Sequence, residues 1–329
     1  MRMQSPFLKS FAKKANRSKY IFTPGPSSLS WQNIATLSPA FGRNDDMYLN
    51  IEMQVMSWLK NLSGQNEIVR MQGSSTTGIE VALENFVSGK VLILNSGFYS
   101  NRMYNMLKQR RDIQATNLVF ADFLQVYQDY DWIIAAPTET STGFLTPIET
   151  LHQISTRCKA KLFLDATASI GLEQGHNLAD VVCFSSCKGL FGLTGAAFIA
   201  YSVNKVNDPS SFTLNLETYL DKKTTGPYHS IQSLFLIIDS HSRMVKSVVK
   251  NKERMLEICN NLLVHMPENQ PKLCTALNST ITPLNKKVIL YQPRIKNSFS
   301  IICHLGEVHL GDKAKGKIID EIKIDALTR

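Results

Sequence analysis

From Glu67 onward the chain alternates short β-rich runs with amphipathic stretches, and this alternation constrains the fold more than any other feature of the sequence. Glu67 to Met71, Thr76 to Val87, Val91 to Asn95 and Asn101 to Arg110 set the pattern, which is that of an α/β sheet. Further strands are expected at Leu118 to Ala121, Trp132 to Ala136, Lys161 to Asp165, Asp180 to Phe184 and Ala196 to Tyr201. Several are apolar on both faces, as parallel strands covered by helices must be. Ligands bind such sheets at the carboxyl ends of the strands, so the polar segments closing the strands are where chemistry should lie. Beyond Tyr228, Ile231, Leu234, Phe235 and Ile238 share one helical face, and a second helix is expected around Arg254 to His265, ended by Pro267. Strands at Lys287 to Tyr291 and Phe299 to His304 and a terminal helix from about Lys313 would complete a small second domain.

Composition narrows the function classes. With 43% hydrophobic content over 329 residues, the chain can bury a full core. Its longest apolar runs, such as Val181 to Phe184 and Ala196 to Tyr201, fall far short of the roughly 20 residues of a membrane span, so no membrane partner is expected. The formal charge of +9 is spread along the chain without a motif that reads RNA or DNA, so no nucleic-acid partner is expected either. The six cysteines form no CxxC pair, several lie in apolar runs, and no metal site is foreseen. Reduced thiols point to the cytoplasm. The first 21 residues form a basic arm: Arg2, Lys9, Lys13, Lys14, Arg17 and Lys19 precede the first acidic residue, Asp45, with Phe7, Leu8 and Phe11 interleaved. That pattern suits a solvated or partner-clasping arm, or an organellar targeting segment.

Three segments carry chemistry. Lys188 closes the apolar run ending Phe184-Ser185-Ser186-Cys187 and precedes a glycine-rich stretch from Gly189 to Gly195. A lysine there can be partly desolvated, which favours the neutral amine of Schiff-base chemistry, although a lysine after a strand is ordinarily a solvated end residue. Asp165 ends Lys161 to Asp165; a carboxylate at that place can hold a pyridinium nitrogen protonated, or simply cap a helix. Gly73-Ser74-Ser75-Thr76-Thr77-Gly78 stands between a strand and a helix, where amides and hydroxyls suit a phosphate. It is neither a P-loop nor a GxGxxG, and a capped turn explains it equally well in isolation.

Taken together and in this order, the segments resemble the class V aminotransferases, with the 2-aminoethylphosphonate:pyruvate branch the most similar. The resemblance covers Phe22 to Tyr201 and resumes at Phe212 to Ser230 and Val288 to Val308. It implies an α/β, PLP-dependent transferase type I fold: a large domain over 22–245 with a mostly parallel sheet between helices, and a small, shortened α+β domain over 246–329. Pyridoxal phosphate (PLP) would be the cofactor, with Lys188 as its Schiff-base lysine and Asp165 at its ring nitrogen. Tyr99, in Asn95-Ser96-Gly97-Phe98-Tyr99-Ser100-Asn101-Arg102, and Thr167 would sandwich the ring, and Ser74, Ser75 and Thr76 would form the phosphate cup. Thr140 and Thr142, in Glu139-Thr140-Ser141-Thr142-Gly143, and Ser186 would also meet the cofactor. Thr23-Pro24-Gly25-Pro26 matches a family segment near the substrate site, which assigns Pro24 and Gly25 to substrate binding. Tyr228 and Ser230 fall in a segment that reaches across a dimer interface toward the neighbour's phosphate in the family, which implies a homodimer with shared sites. The reaction implied is amino transfer from a small amino compound to a 2-oxo acid.

The sequence departs from the family near its end. A Phe-Arg-Ile-like segment anchors the substrate's acid group in family transaminases; here Phe299-Ser300-Ile301 stands in its place, without the arginine. Losing a bidentate guanidinium weakens carboxylate or phosphonate recognition, and Arg294 is the candidate to replace it. Cys187 stands where the branch has asparagine, but a desulfurase nucleophile normally sits on a separate mobile loop. The alternatives are alanine:glyoxylate transamination, a carbon-sulfur lyase, or a PLP-binding protein without turnover.

Overall fold

The computed structural model describes residues 6–35, 41–42, 44–119, 123, 125–308 and 318–326. Its centre is a seven-stranded sheet built from β1 (Glu67–Gln72), β2 (Gly89–Asn95), β3 (Ile113–Val119), β4 (Trp132–Ala135), β5 (Lys161–Asp165), β6 (Val181–Ser185) and β7 (Ala196–Tyr201). The strands lie in the order β1-β7-β6-β5-β4-β2-β3. All run the same way except β7, which is antiparallel to both β1 and β6. This is the mostly parallel α/β sheet that two-faced apolar strands require.

Side-chain alternation splits the core into two layers. Ile133, Leu162, Leu164, Val182, Phe184 and Phe198 face one side, where helices Asp46–Ser63, Ile148–Arg157 and Tyr228–Cys259 cover them. Trp132, Ile134, Phe163, Val181, Cys183 and Ile199 face the other, under helices Ser75–Phe86 and Phe98–Leu107. Each buried side chain of this size contributes about 1.5–3 kcal/mol. Beyond the sheet, Cys274–Leu277 pairs with Ser300–Cys303, Ser279–Pro283 pairs with Ile322–Ala326, and Tyr20–Phe22 pairs with Val288–Leu290. Among the described residues, no helix is long and apolar enough to cross a membrane.

Three sequence expectations need correction. β3 begins at Ile113 rather than Leu118; it is an edge strand, and its polar Gln114, Thr116 and Asn117 hide the strand signal. Phe120 and Ala121 lie outside the described residues. The two helices expected after Tyr228 are one, Tyr228–Cys259, because no proline or glycine interrupts it, and it ends well before Pro267. The terminal helix is not formed from residue 318 on: a 3-10 turn at Ile318–Glu321 leads into the strand Ile322–Ala326, while residues 313–317 lie outside the described residues.

Buried histidines give the fold a predictable weakness in acid. Burial pushes His176 down to about 4 and His304 down to about 3 from an ordinary 6.5. His176 meets the Ser169 hydroxyl at 2.9 Å and His304 the Thr275 hydroxyl at 2.8 Å, so both rings are held neutral in the fold. The unfolded chain takes up these protons below about pH 6.5 and the folded chain does not, so stability must fall as pH drops through that window. The expected slope is about 1.4 kcal/mol per pH unit for each histidine. Urea midpoints measured between pH 7 and 5 check this, and a flat profile would contradict it.

Candidate active site

Because β1 to β6 share a direction, their closing loops gather at one edge of the sheet. Pairing of Asp165 with Cys183 brings the end of β5 beside β6, and the turn after β6 carries Lys188. The turn after β1 supplies Gly73 and Ser74 and the helix that follows supplies Ser75 and Thr76, helix Phe98–Leu107 after β2 supplies Tyr99 and Arg102, and the segment after β4 supplies Thr138 and Thr140. With Gly25, Thr167, Thr194 and Arg294 these residues line a cleft of about 480 Å³.

The cleft floor is held by buried polar contacts. Asp165 is 4% exposed, and its Oδ1 accepts from the Thr167 amide at 3.1 Å and from the Thr167 hydroxyl. Its Oδ2 faces Nη2 of Arg102 at 3.4 Å. Lys188 Nζ lies 5.7 Å from the centre of the Tyr99 ring, so the lysine, the aromatic ring and the carboxylate border one space. Gly25 reaches φ +143°, and a Cβ there would stand 2.8 Å from Lys188 Cγ. Only glycine suits a positive φ of that kind with so close a neighbour. Ser74 caps helix Ser75–Phe86, its hydroxyl accepting from the Thr77 amide at 3.4 Å. The partnerless amides of a helix's first turn and its dipole make that end attractive to an anion.

Glu139 supports the site from behind. It is fully buried, and its Oε2 accepts from the amides of Tyr99 at 3.0 Å and Ser100 at 3.1 Å and from the Ser100 hydroxyl at 3.2 Å. Its Oε1 accepts from the Ser141 amide at 3.1 Å and hydroxyl at 2.6 Å. Burial pushes this carboxyl above the usual carboxylate range, against the pull of its Ser141 and Ser100 donors. The contacts fix the start of helix Phe98–Leu107 and hence the position of Tyr99.

Among the residues marked in the sequence, Lys188, Asp165, Ser74, Ser75, Thr76, Tyr99, Thr140, Thr167, Gly25 and Arg294 line the cleft. Pro24, Thr142, Ser186, Tyr228 and Ser230 do not line it within this chain. Thr142 donates to Ser96 O at 3.1 Å, Ser186 donates to Leu193 O, and Ser230 donates to Thr194 O at 2.8 Å. Tyr228 sits edge-on to Tyr48, ring centres 4.6 Å apart. Thr138, Ser185, Thr194 and Arg102 line the cleft without having been marked. For Arg102 a signal exists: it stands three residues after Tyr99, the spacing that places both on one helical face.

No family model matches the sequence. A 2-aminoethylphosphonate–pyruvate transaminase of Pseudomonas aeruginosa is 26% identical over 203 residues, covering 56% of this chain and 55% of the relative. A bifunctional phosphonoacetaldehyde hydrolase/aminoethylphosphonate transaminase of Clostridioides difficile is 25% identical, covering 74% of this chain and 43% of its own length. The chain spans about half the length of these curated relatives. Two solved structures share the fold over nearly the whole chain. An aspartate aminotransferase of Thermus thermophilus has TM-score 0.75 and 16% identity, covering 87% of this chain and 93% of its own. An alanine–glyoxylate aminotransferase of Nostoc has TM-score 0.74 and 18% identity, covering 92% and 93%. In sequence the chain is similar to 2-aminoethylphosphonate–pyruvate transaminases, and in fold it is similar to aminotransferases.

Aminotransferases of this fold use PLP, and the cleft has the donor set for it. The hydroxyls of Thr138 and Thr140 and the Nε of Arg102 are buried without a hydrogen-bond partner among the described residues, an arrangement that invites a polar ligand. Three cations, Lys188, Arg102 and Arg294, oppose one carboxylate, Asp165, among the lining residues. That balance suits an anionic ligand.

Proposed function

We propose that this chain is a PLP-dependent aminotransferase that takes an amino group from a small amino compound bearing an acid group and passes it to a 2-oxo acid. The leading donor is 2-aminoethylphosphonate and the leading acceptor pyruvate, as in the similar transaminases of Pseudomonas aeruginosa and Clostridioides difficile. The observation that carries the reading is the meeting of Lys188, Asp165, Tyr99 and the Ser74–Thr76 turn in one cleft.

Bound PLP supplies an electron sink for the carbon next to the amino group. Lys188 would hold the cofactor through Nζ, and its amine would be the base that takes up and returns the proton at the substrate carbon. Asp165 would hold the ring nitrogen, and Tyr99 and Thr167 would confine the ring. Ser74, Ser75 and Thr76 would take the phosphate at the helix end. Tyr228 and Ser230, which do not line the cleft of their own chain, would serve a partner's site in a homodimer.

Arg294 is the proposed anchor for the substrate's acid group. Its guanidinium lies 5.6 Å from the Phe98 ring centre and lines the same cleft as Lys188, whereas Ser300, where the family arginine would stand, lines a separate cavity. Arg294→Ala is expected to lower kcat/KM for 2-aminoethylphosphonate by about 100-fold, the cost of a charge-assisted pair, and to spare a simple alkylamine. Stopped-flow bleaching of the cofactor band with each donor measures this. Equal loss for both donors would remove Arg294 from acid recognition, and no bleaching with any amino acid or aminophosphonate would overturn the transaminase reading.

A further inference from the structure

Arg102 touches three parts of the cleft at once. Its Nη1 donates to the Thr76 hydroxyl at 2.8 Å, its Nη2 faces Asp165 Oδ2 at 3.4 Å, and its guanidinium carbon lies 5.2 Å from the centre of the Tyr99 ring. The side chain is 22% exposed, and its Nε is buried without a partner among the described residues. The phosphate turn, the stacking ring and the carboxylate at the ring nitrogen thus share one rigid cation.

The two oxygens of Asp165 are differently engaged. Oδ1 is taken by Thr167, through both amide and hydroxyl. Oδ2 is the oxygen left for a ligand, and among the described residues its side-chain donor is Arg102. A carboxylate oxygen shared between a guanidinium and a second N–H donor is a weaker acceptor for each of them, and a fixed positive charge nearby disfavours a further positive charge.

Resting on the PLP reading above, we infer that Arg102 is a positioning residue that competes for Asp165 Oδ2 and so sets how firmly the cofactor's ring nitrogen keeps its proton. It moderates the electron sink instead of touching the substrate. Thr76 holds the guanidinium in place, so the phosphate turn and the ring-nitrogen contact are mechanically joined.

The test uses full-length protein loaded with PLP that carries a nitrogen isotope label in its ring, and follows the ring-nitrogen NMR shift as pH is raised. Arg102→Met is expected to move the pH at which the ring nitrogen loses its proton upward by about one unit. Arg102→Lys, which keeps the charge, should stay near wild type. A role confined to packing would lower the thermal midpoint in both variants and leave the titration in place, and that result would overturn the inference. If Arg102→Met does not fold, Arg102→Gln, neutral and of similar reach, decides by the same criterion. Failure of the underlying reading is distinguishable, because wild type would then show no visible band that borohydride removes.

Discussion

Glu139→Gln is expected to cost about 3 kcal/mol of stability and to loosen PLP binding in the same stroke. Both oxygens of Glu139 act only as acceptors, for five donors on Tyr99, Ser100 and Ser141. An amide has one oxygen, so its NH₂ must face donors on one side or the other, leaving buried N–H groups unpaired at about 1–3 kcal/mol each. The groups released include the first amides of the helix that carries Tyr99 and Arg102, so the stacking ring loses its anchor. Urea unfolding of the apoprotein reads the stability, and fluorescence titration with PLP reads the affinity, expected to weaken by at least about tenfold. Unchanged affinity alongside lost stability would show that the Tyr99 position does not depend on this carboxylate.

A comparable loss, about 3–5 kcal/mol, is expected for Glu52→Ala, away from the cleft. Glu52 and Arg70 are each 6% exposed and meet in a two-bond pair at 3.3 and 3.2 Å, with Lys222 Nζ at 3.1 Å from the same carboxylate. Burial pushes the Glu52 carboxyl up, but Arg70 and Lys222 outweigh it and hold it below the usual range. Removing Glu52 alone strands a buried guanidinium, whereas the double replacement Glu52→Met with Arg70→Met removes both charges and should recover most of the loss. The cluster ties helix Asp46–Ser63 and β1 to the loop before Tyr228, so Glu52→Ala also tests whether that loop's position depends on it. Thermal and urea unfolding of both variants check the pair; a single-variant loss under about 1 kcal/mol would mean that water reaches Arg70.

Much of this was legible in the residues themselves. Lys161 to Asp165 and Ala196 to Tyr201 are strands at the expected bounds, because both are short and apolar on two faces. Lys188 and Asp165 were readable only in combination, because a lysine after a strand is ordinarily solvated and an aspartate there can simply cap a helix; the order of the three segments set them apart. The edge strand β3 was less legible, since one of its sides has no neighbour to demand apolar residues. Arg102 was only faintly legible for a different reason: its meaning lies in three contacts made with residues 26, 3 and 63 positions away, and only the spacing to Tyr99 is local. Tyr228 and Ser230 do not line the cleft of this chain, and the resemblance that marked them concerns a second subunit, which one chain's periodicity does not describe.

The most direct test of the central claim is an absorption spectrum of the PLP-supplemented protein before and after borohydride, with Lys188→Ala measured alongside. The cleft geometry predicts a band near the visible edge that borohydride abolishes, with the reduced cofactor recovered on the peptide containing Lys188, and no such band in the variant. A wild-type protein without the band, or a variant that keeps it, would contradict the assignment of Lys188 and leave the chain with the fold alone.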